Sequence, residues 1–198
     1  MTTIEVPAAF ATSPARALMC RECGHEVALA PVHVCEMCFA PLEIGYDFEK
    51  LQRVTRASIE AGPQNIWRYA GLLPAGQDEA TRVSLGAGMT PLREAKNLAA
   101  ALGMKKLWVK DDSANPTHSF KDRVVSVALS AARAFGYTTV SCASTGNLAN
   151  SVAAHATQAG LRAVVFIPND LEQGKVVQTA VYDPVSYTHL TLPTKRIV

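Results

Sequence analysis

The sequence predicts an α/β fold built on a parallel sheet, with a small cysteine module ahead of it. Two observations carry this. From Leu92 to Asp183, short apolar runs of strand length alternate with helical stretches, the rhythm of a parallel sheet covered by helices. Before that rhythm begins, Cys20, Cys23, Cys35 and Cys38 form two C-x-x-C pairs separated by eleven residues, 24–34. The composition fits a globular chain: 48% hydrophobic, 7% aromatic, and a formal charge of +2 from 19 basic and 17 acidic residues in 198. So small a net charge gives no footprint for nucleic acid or another polyanion. No apolar run approaches a bilayer span and no basic segment leads into a hydrophobic one, so the expectation is a cytoplasmic protein with no membrane partner.

In chain order, residues 1–18 read as an irregular leader with Pro7 and Pro14. Each C-x-x-C pair presents two sulfurs from a tight turn, and two such turns supply four thiolates for a tetrahedral zinc. Four cysteines close such a site, so the expected role is structural; His25 and His33 are expected to be module residues, not ligands. Two disulfides are the competing arrangement, disfavoured in a reducing compartment. A nucleic-acid-binding ribbon is the other, but few basic residues and no aromatic series support it.

Residues 47–85 read as a helical connecting arm, with Asp47 capping one helix through Phe48, Leu51 and Val54 and Pro63 beginning another that holds Ile66, Trp67 and Tyr69. Arg53, Arg56 and Arg68 read as solvated. After Leu92 the expected elements are a helix at 94–102, a strand at 106–110, a long helix at 120–135 closed by Gly136, a strand at 138–142, a helix at 148–158, a strand at 162–167 and a helix beginning at Gln173. Cys142 and His155 read as packing residues, and Lys175 as a surface lysine.

Lys121 stands out. It lies where the loop from Asn115 gives way to a helix, with Ser119 available as a cap. One stripe carries Phe120, Val124, Val127, Ala128 and Ala131, and a second carries Val125, Leu129 and Ala132, so this helix is expected to be buried nearly all round. An ammonium in its first turn would be partly desolvated, which lowers a lysine pKa and frees the amine for Schiff-base chemistry. The plain alternative is a surface lysine paired with Asp122 or Asp111. Ser144-Thr145-Gly146-Asn147 lies at the next strand-to-helix junction, where free backbone N–H groups favour an anion. An amine for a carbonyl cofactor and an anion loop for a carboxylate substrate both fall at the carboxyl ends of predicted strands, where ligands of such sheets collect.

Four motifs in this order, Gly88-Met89-Thr90-Pro91-Leu92, the strand Lys106–Lys110 with Asp111-Asp112, Asn115 to Arg123, and Ala143 to Asn147, resemble the pyridoxal-phosphate enzymes of the tryptophan synthase β type. Within them the chain resembles most the threonine synthases that carry an N-terminal cysteine module. His118 departs from the pattern, since many relatives carry glycine there. The resemblance implies a three-layer parallel sheet, incomplete in this chain, preceded by a zinc-ribbon-like module. Its domains would be 1–46 for leader and module, 47–85 for the arm and 86–183 for the N-terminal part of the catalytic fold.

The activity it implies is conversion of O-phospho-L-homoserine and water into L-threonine and phosphate, with pyridoxal 5'-phosphate as cofactor, a phosphorylated amino acid as substrate and a homo-oligomer as the possible assembly. Lys121 would hold the cofactor and then move protons, Asn147 would bond the cofactor's 3-hydroxyl, and Ser144, Thr145 and Gly146 would bind the substrate carboxylate. A cysteate synthase-like enzyme, a threonine or serine ammonia-lyase, and a zinc-ribbon binding module on a non-catalytic scaffold remain as alternatives. Residues 184–198 break the alternation and read as a non-native tail. The cradle for the cofactor phosphate and the partner of its pyridine nitrogen would then lie beyond Asp183, and the chain alone is expected to show little activity.

Overall fold

The computed structural model describes residues 6–144, 146–168 and 172–187. They fall into two compact units, one of residues 1–83 with 126–138 and one of residues 84–125 with 139–198.

The first unit opens with a single 3-10 turn at Ala8–Phe10, then strand β1 (Ala15–Cys20), β2 (Glu26–Val27) and β3 (Leu42–Tyr46), which form an antiparallel sheet in the order β2-β1-β3. The leader is thus part of the fold. Phe10, Ala15, Ala17 and Leu18 are buried, and Phe10, Ala15 and Leu18 join Leu29 and Ala75 in the core. Phe10 packs against Phe135 with the rings tilted by 37° and their centroids 4.8 Å apart. The burial along β1 does not alternate, since Ala17 and Leu18 are both buried and the register shifts between Ala15 and Ala17, which is why the sequence reads as irregular there.

The arm contains helix α1 (Phe48–Gln52), capped by Asp47, and α2 (Arg56–Glu60), capped by a reciprocal Thr55–Ser58 box. The next helical stretch is 3-10, Ile66–Leu72, and starts at Asn65, not at Pro63, because the Asn65 side chain accepts the Trp67 N–H. Arg68 is not a solvated residue: its guanidinium donates to the Ile59 and Glu60 carbonyls at the end of α2.

In the second unit, β4 (Leu92–Glu94) pairs antiparallel with β5 (Trp108–Lys110), and helix α3 (Lys96–Ala101) links them. The expected helix at 94–102 therefore begins two residues later, because Glu94 is spent on the ribbon, and the sheet content of the chain is mixed, not parallel throughout. Helix α4 (Lys121–Ala134) follows, with its first turn in this unit and Ser126–Ala134 in the other. Strands β6 (Thr139–Ala143), β7 (Arg162–Phe166) and β8 (Val185–Tyr187) form a parallel sheet in the order β6-β7-β8, with α5 (Asn147–Gln158) and α6 (Gln173–Ala180) as the connecting helices. Gly136 and Gly160, at φ +79° and +67°, take the left-handed conformation that ends α4 and α5. Ala149, Val165 and Ile167 form a core against which Cys142 and Val176 pack. The α/β rhythm extends further than the sequence suggests: Val185–Tyr187 pairs alongside β7. Residues 188–198 lie outside the described residues. Among the described residues no helix is long and apolar enough to cross a membrane.

Candidate active site and cysteine cluster

Helix α4 buries part of what its apolar residues suggest, but not the whole circumference: Val125 and Leu129 are buried and Val127 and Ala131 pack against the core. Phe120, Val124 and Ala128 are exposed, Phe120 at 57%, whereas Asp122, Val125, Ser126, Leu129 and Ser130 are buried. The buried serines are satisfied in place. Ser130 Oγ donates to the Ser126 carbonyl at 2.7 Å and accepts the Val83 N–H at 2.9 Å. A hydroxyl with backbone partners costs little to bury, so Ser126 and Ser130 sit beside Val125 and Leu129 on the inner stripe.

Lys121 opens this helix, half-buried, its backbone N–H donated to Ser119 Oγ at 3.2 Å and its Nζ 4.7 Å from the centroid of the Phe120 ring. Neither acid proposed as its partner is disposed toward it. Asp111 takes Ser113 Oγ and Arg93, and the Ser113 hydroxyl followed by the Arg93 guanidinium holds its carboxyl below the usual range. Asp122 is fully buried and accepts three hydrogen bonds: the Thr117 N–H on Oδ2 at 2.7 Å, and the hydroxyls of Thr117 and Ser151 on Oδ1, both at 2.6 Å.

The residue after it, Arg123, anchors the same turn in another direction. Its guanidinium donates twice to Asp112, Nη2 to Oδ1 at 2.7 Å and Nε to Oδ2 at 3.1 Å, and Nη2 also reaches Thr90 Oγ1 at 3.0 Å. Thr90 donates its hydroxyl to Asp112 at 2.6 Å. Hydrogen bonds from Arg123 and then Thr90 hold the Asp112 carboxyl down at about 2. Asn115 adds a third tie by accepting the Gly88 N–H at 3.0 Å. The Gly88–Leu92 loop, the Asp111-Asp112 corner and the Asn115–Arg123 loop therefore meet through side chains of Thr90, Asp112, Asn115 and Arg123. The sequence signal for this was present, since Asp112, Asp122 and Arg123 are charged residues beside apolar runs, but nothing in spacing alone says which acid meets which base.

The loop before the helix bends at His118, a non-glycine residue at φ +58°, whose Nδ1–H donates to the Ser113 carbonyl at 3.0 Å. On α5, Asn147 is the first helical residue and is exposed; Ser144 Oγ accepts the Gly146 N–H at 3.4 Å. A Cβ built at Gly146 would meet nothing within 4 Å, so Gly146 borders open space at the start of α5. Thr145 lies outside the described residues. A primary amine at one helix start, an amide, hydroxyl and N–H donors at another, and open space over the latter fit the aldehyde, hydroxyl and anionic groups of pyridoxal phosphate.

His155 is fully buried on α5, and its Nδ1–H donates to the Ser151 carbonyl at 2.9 Å. Burial lowers its pKa, against the opposing pull of that carbonyl and of Asp122, which keeps the ring neutral near pH 7. Cys142 is half-buried in β6 and burial pushes its thiol up, the opposite of what a nucleophile needs.

In the first unit the four module cysteines converge. Their sulfurs all lie within 4.8 Å of one another, with Cys20–Cys38, Cys23–Cys38 and Cys23–Cys35 at 3.4, 3.5 and 3.7 Å. None is bonded to another as a disulfide. Four sulfurs at 2.3 Å from a tetrahedral zinc stand roughly 3.8 Å apart, so the cluster fits that ion. The sulfurs perturb one another: the Cys20 thiol is brought to about 7, chiefly by the Cys23 N–H, while Cys38, although it receives the Ala40 N–H, is pushed up to about 12 by the Cys20 sulfur and by burial. Four thiolates repel until a cation sits among them.

The two knuckles share one backbone path. Gly24 N–H returns to the Cys20 carbonyl and Phe39 N–H to the Cys35 carbonyl, with Gly24 at φ +73° and Phe39 at φ +60°. His25 Nε2 faces Glu36 at 3.4 Å, away from the ligand role.

Residues 83–184 match the family model for pyridoxal-phosphate dependent enzymes. The chain is similar to the threonine synthase of Methanocaldococcus jannaschii, with 39% identity over 166 residues, 82% of this chain and 40% of that protein. It is also similar to the threonine synthase of Methanosarcina acetivorans, with 36% identity over 167 residues, 83% of this chain and 40% of that protein. Among solved structures, maize serine racemase is similar at TM-score 0.44 and 28% identity over 50% of this chain and 30% of that one. The chain thus spans about 40% of the length of the threonine synthases it matches.

Proposed function

The chain belongs to the pyridoxal-phosphate dependent enzymes, and from that premise we propose that it supplies Lys121 and the α5 loop to a threonine synthase. The reaction would be conversion of O-phospho-L-homoserine and water into L-threonine and phosphate. The observation that carries this reading is the similarity to threonine synthases across 82% of the chain, a stretch long enough to reach beyond the lysine region toward the cysteine module. Bound at Lys121, the cofactor supplies a conjugated ring that spreads the negative charge developing on a substrate carbon.

The chain's own residues do the rest. Lys121 would hold the cofactor through its amine, and the same amine would take and return protons at the substrate carbons. Asn147, at the head of α5, hydrogen-bonds the cofactor hydroxyl. Ser144, Thr145 and the Gly146 backbone present donors to the substrate carboxylate, and the open space over Gly146 lets that carboxylate come close. Cys20, Cys23, Cys35 and Cys38 hold a structural zinc that staples the N-terminal sheet.

The test is phosphate release from phosphohomoserine and phosphoserine, and ammonia release from threonine and serine, by the protein expressed from the whole open reading frame. Turnover of phosphohomoserine, lost in Lys121→Ala together with the visible absorbance of the bound cofactor, is the expected result. Turnover of phosphoserine alone assigns the chain to a sister lyase of the same fold, and ammonia release from threonine or serine to an ammonia-lyase. Full activity in Lys121→Ala would overturn the role of Lys121, and a wild-type protein that turns over none of the four would leave the scaffold alternative.

A further inference from the structure

The set Asp122, Ser151 and His155 has the composition of a catalytic triad but not its exposure. All three side chains are 0% exposed. Ser151 spends its proton on Asp122, and His155 spends its Nδ1–H on the carbonyl of its own helix. Nothing can reach the serine, so the set does no chemistry itself. Its geometry instead joins two pieces of chain. Asp122 is adjacent to Lys121 and ties the loop before it through both the N–H and the hydroxyl of Thr117. Ser151 lies one helical turn beyond Asn147 on the same face of α5.

Resting on the proposed role of Lys121, we propose that the buried Asp122–Ser151 hydrogen bond is the joint that sets the lysine-bearing turn against the head of α5. Asp122 and Ser151 are then positioning residues for the Lys121 amine. The 2.6 Å contact is charge-assisted and sealed from water, the conditions under which a single hydrogen bond fixes a geometry. His155 backs it: its Nδ1 stands 3.8 Å from Asp122 Oδ1 and 3.5 Å from Ser151 Oγ, so the ring fills the space beside the joint. Arg123 holds the other side of the same turn to Asp112 and Thr90, so releasing Asp122 would let the turn pivot about Arg123 instead of unfolding it.

The test uses the protein expressed from the whole open reading frame and two readouts. Chain and pyridoxal phosphate are mixed, trapped with borohydride, and the modified lysines mapped by mass spectrometry, with Lys110 and Lys175 as internal references. Amide exchange of the 115–122 segment is followed in parallel. Variants are Ser151→Ala and Asp122→Asn, with Ser130→Ala as an equally buried serine of α4 that lies outside the joint. In Ser151→Ala, exchange of the Thr117 N–H should rise and Lys121 trapping should fall, each by about tenfold, the factor expected for one lost charge-assisted hydrogen bond. Ser130→Ala should leave Lys121 trapping unchanged.

Unchanged exchange in Ser151→Ala overturns the joint. Faster exchange with unchanged trapping overturns the positioning role and leaves the cofactor role of Lys121 standing. A wild-type chain in which Lys121 is trapped no faster than Lys110 or Lys175 overturns the cofactor reading, and the inference with it, whatever the exchange shows. If Asp122→Asn fails to fold, Ser151→Ala decides the matter alone.

Discussion

Replacing Arg123 with glutamine removes the clamp on Asp112 and gives a stability loss with a characteristic pH dependence. The Asp112 carboxyl sits at about 2 in the fold, against 3.8 ordinarily, with the Arg123 hydrogen bonds the largest cause and Thr90 the next. A depressed carboxyl stabilises the fold above its unfolded pKa, and the contribution is lost as pH falls through the folded value. A shift of this size corresponds to about 2.5 kcal/mol. Asp112 is 28% and Arg123 30% exposed, so solvent screening reduces it to about 1 kcal/mol. About half of that has gone by pH 3, where an unfolded aspartate is already mostly protonated and Asp112 is not. Urea unfolding of wild type and Arg123→Gln, followed by far-UV circular dichroism from pH 7 to pH 3, should show a gap of about 1–2 kcal/mol at pH 7 that narrows by about 0.5 kcal/mol at pH 3. Carboxylates other than Asp112 titrate alike in both proteins and cancel in the difference. A gap that stays constant across this range, or is absent at pH 7, refutes the assignment of Asp112 as the partner that matters.

Two further outcomes are expected. The cysteine cluster should bind one zinc per chain, leaving Cys142 as the one thiol open to slow alkylation. Cys35→Ser should lower zinc affinity by at least about tenfold in a chelator competition and expose the remaining thiols; five thiols reacting alike in the zinc-loaded wild type would refute the site. Phe39→Gly should raise stability by about 0.5–1 kcal/mol, because Phe39 is 82% exposed and holds at φ +60° the position that Gly24 holds in the matching knuckle. Thermal melts of the zinc-loaded proteins measure this, and an unchanged or lower midpoint would show that the exposed ring contributes more than the left-handed backbone costs.

The parts of this molecule legible in the sequence are those governed by local rules. The positions of α4, α5, β6 and β7 follow from hydrophobic period and from glycine stops, and they agree with the structure to within two residues at each end. The cysteine cluster follows from spacing, because a C-x-x-C turn closes on itself whatever surrounds it. Where the sequence misled, tertiary partners decided. The outer edge of α4 looked buried because Phe120 and Val124 are apolar, yet the inner stripe joins the expected Val125 and Leu129 to Asp122, Ser126 and Ser130, polar residues that a hydrophobicity pattern scores against burial. Arg68 looked solvated because its partners are backbone carbonyls, which carry no sequence label. The strand at Leu92–Glu94 was hidden in a helical pattern because three residues of ribbon are too few to show a period of two.

The triplet Lys121-Asp122-Arg123 then takes on a single physical meaning. Consecutive residues at a helix start point about 100° apart. Three neighbours can therefore address three directions: an amine left available, a carboxylate turned inward to Thr117 and Ser151, and a guanidinium turned sideways to Asp112 and Thr90. In the role proposed for Lys121, holding a cofactor and then moving through small distances as an acid and base, a lysine needs a flexible side chain on a backbone that does not move. The two charged neighbours supply the fixed backbone without drawing on the amine, since each has satisfied its own charge elsewhere. The side chain's freedom and the turn's rigidity are thus separate properties, encoded by adjacent residues. Substitutions at Asp122 or Arg123 should change where the amine sits, and substitutions at Lys121 should change whether there is an amine at all.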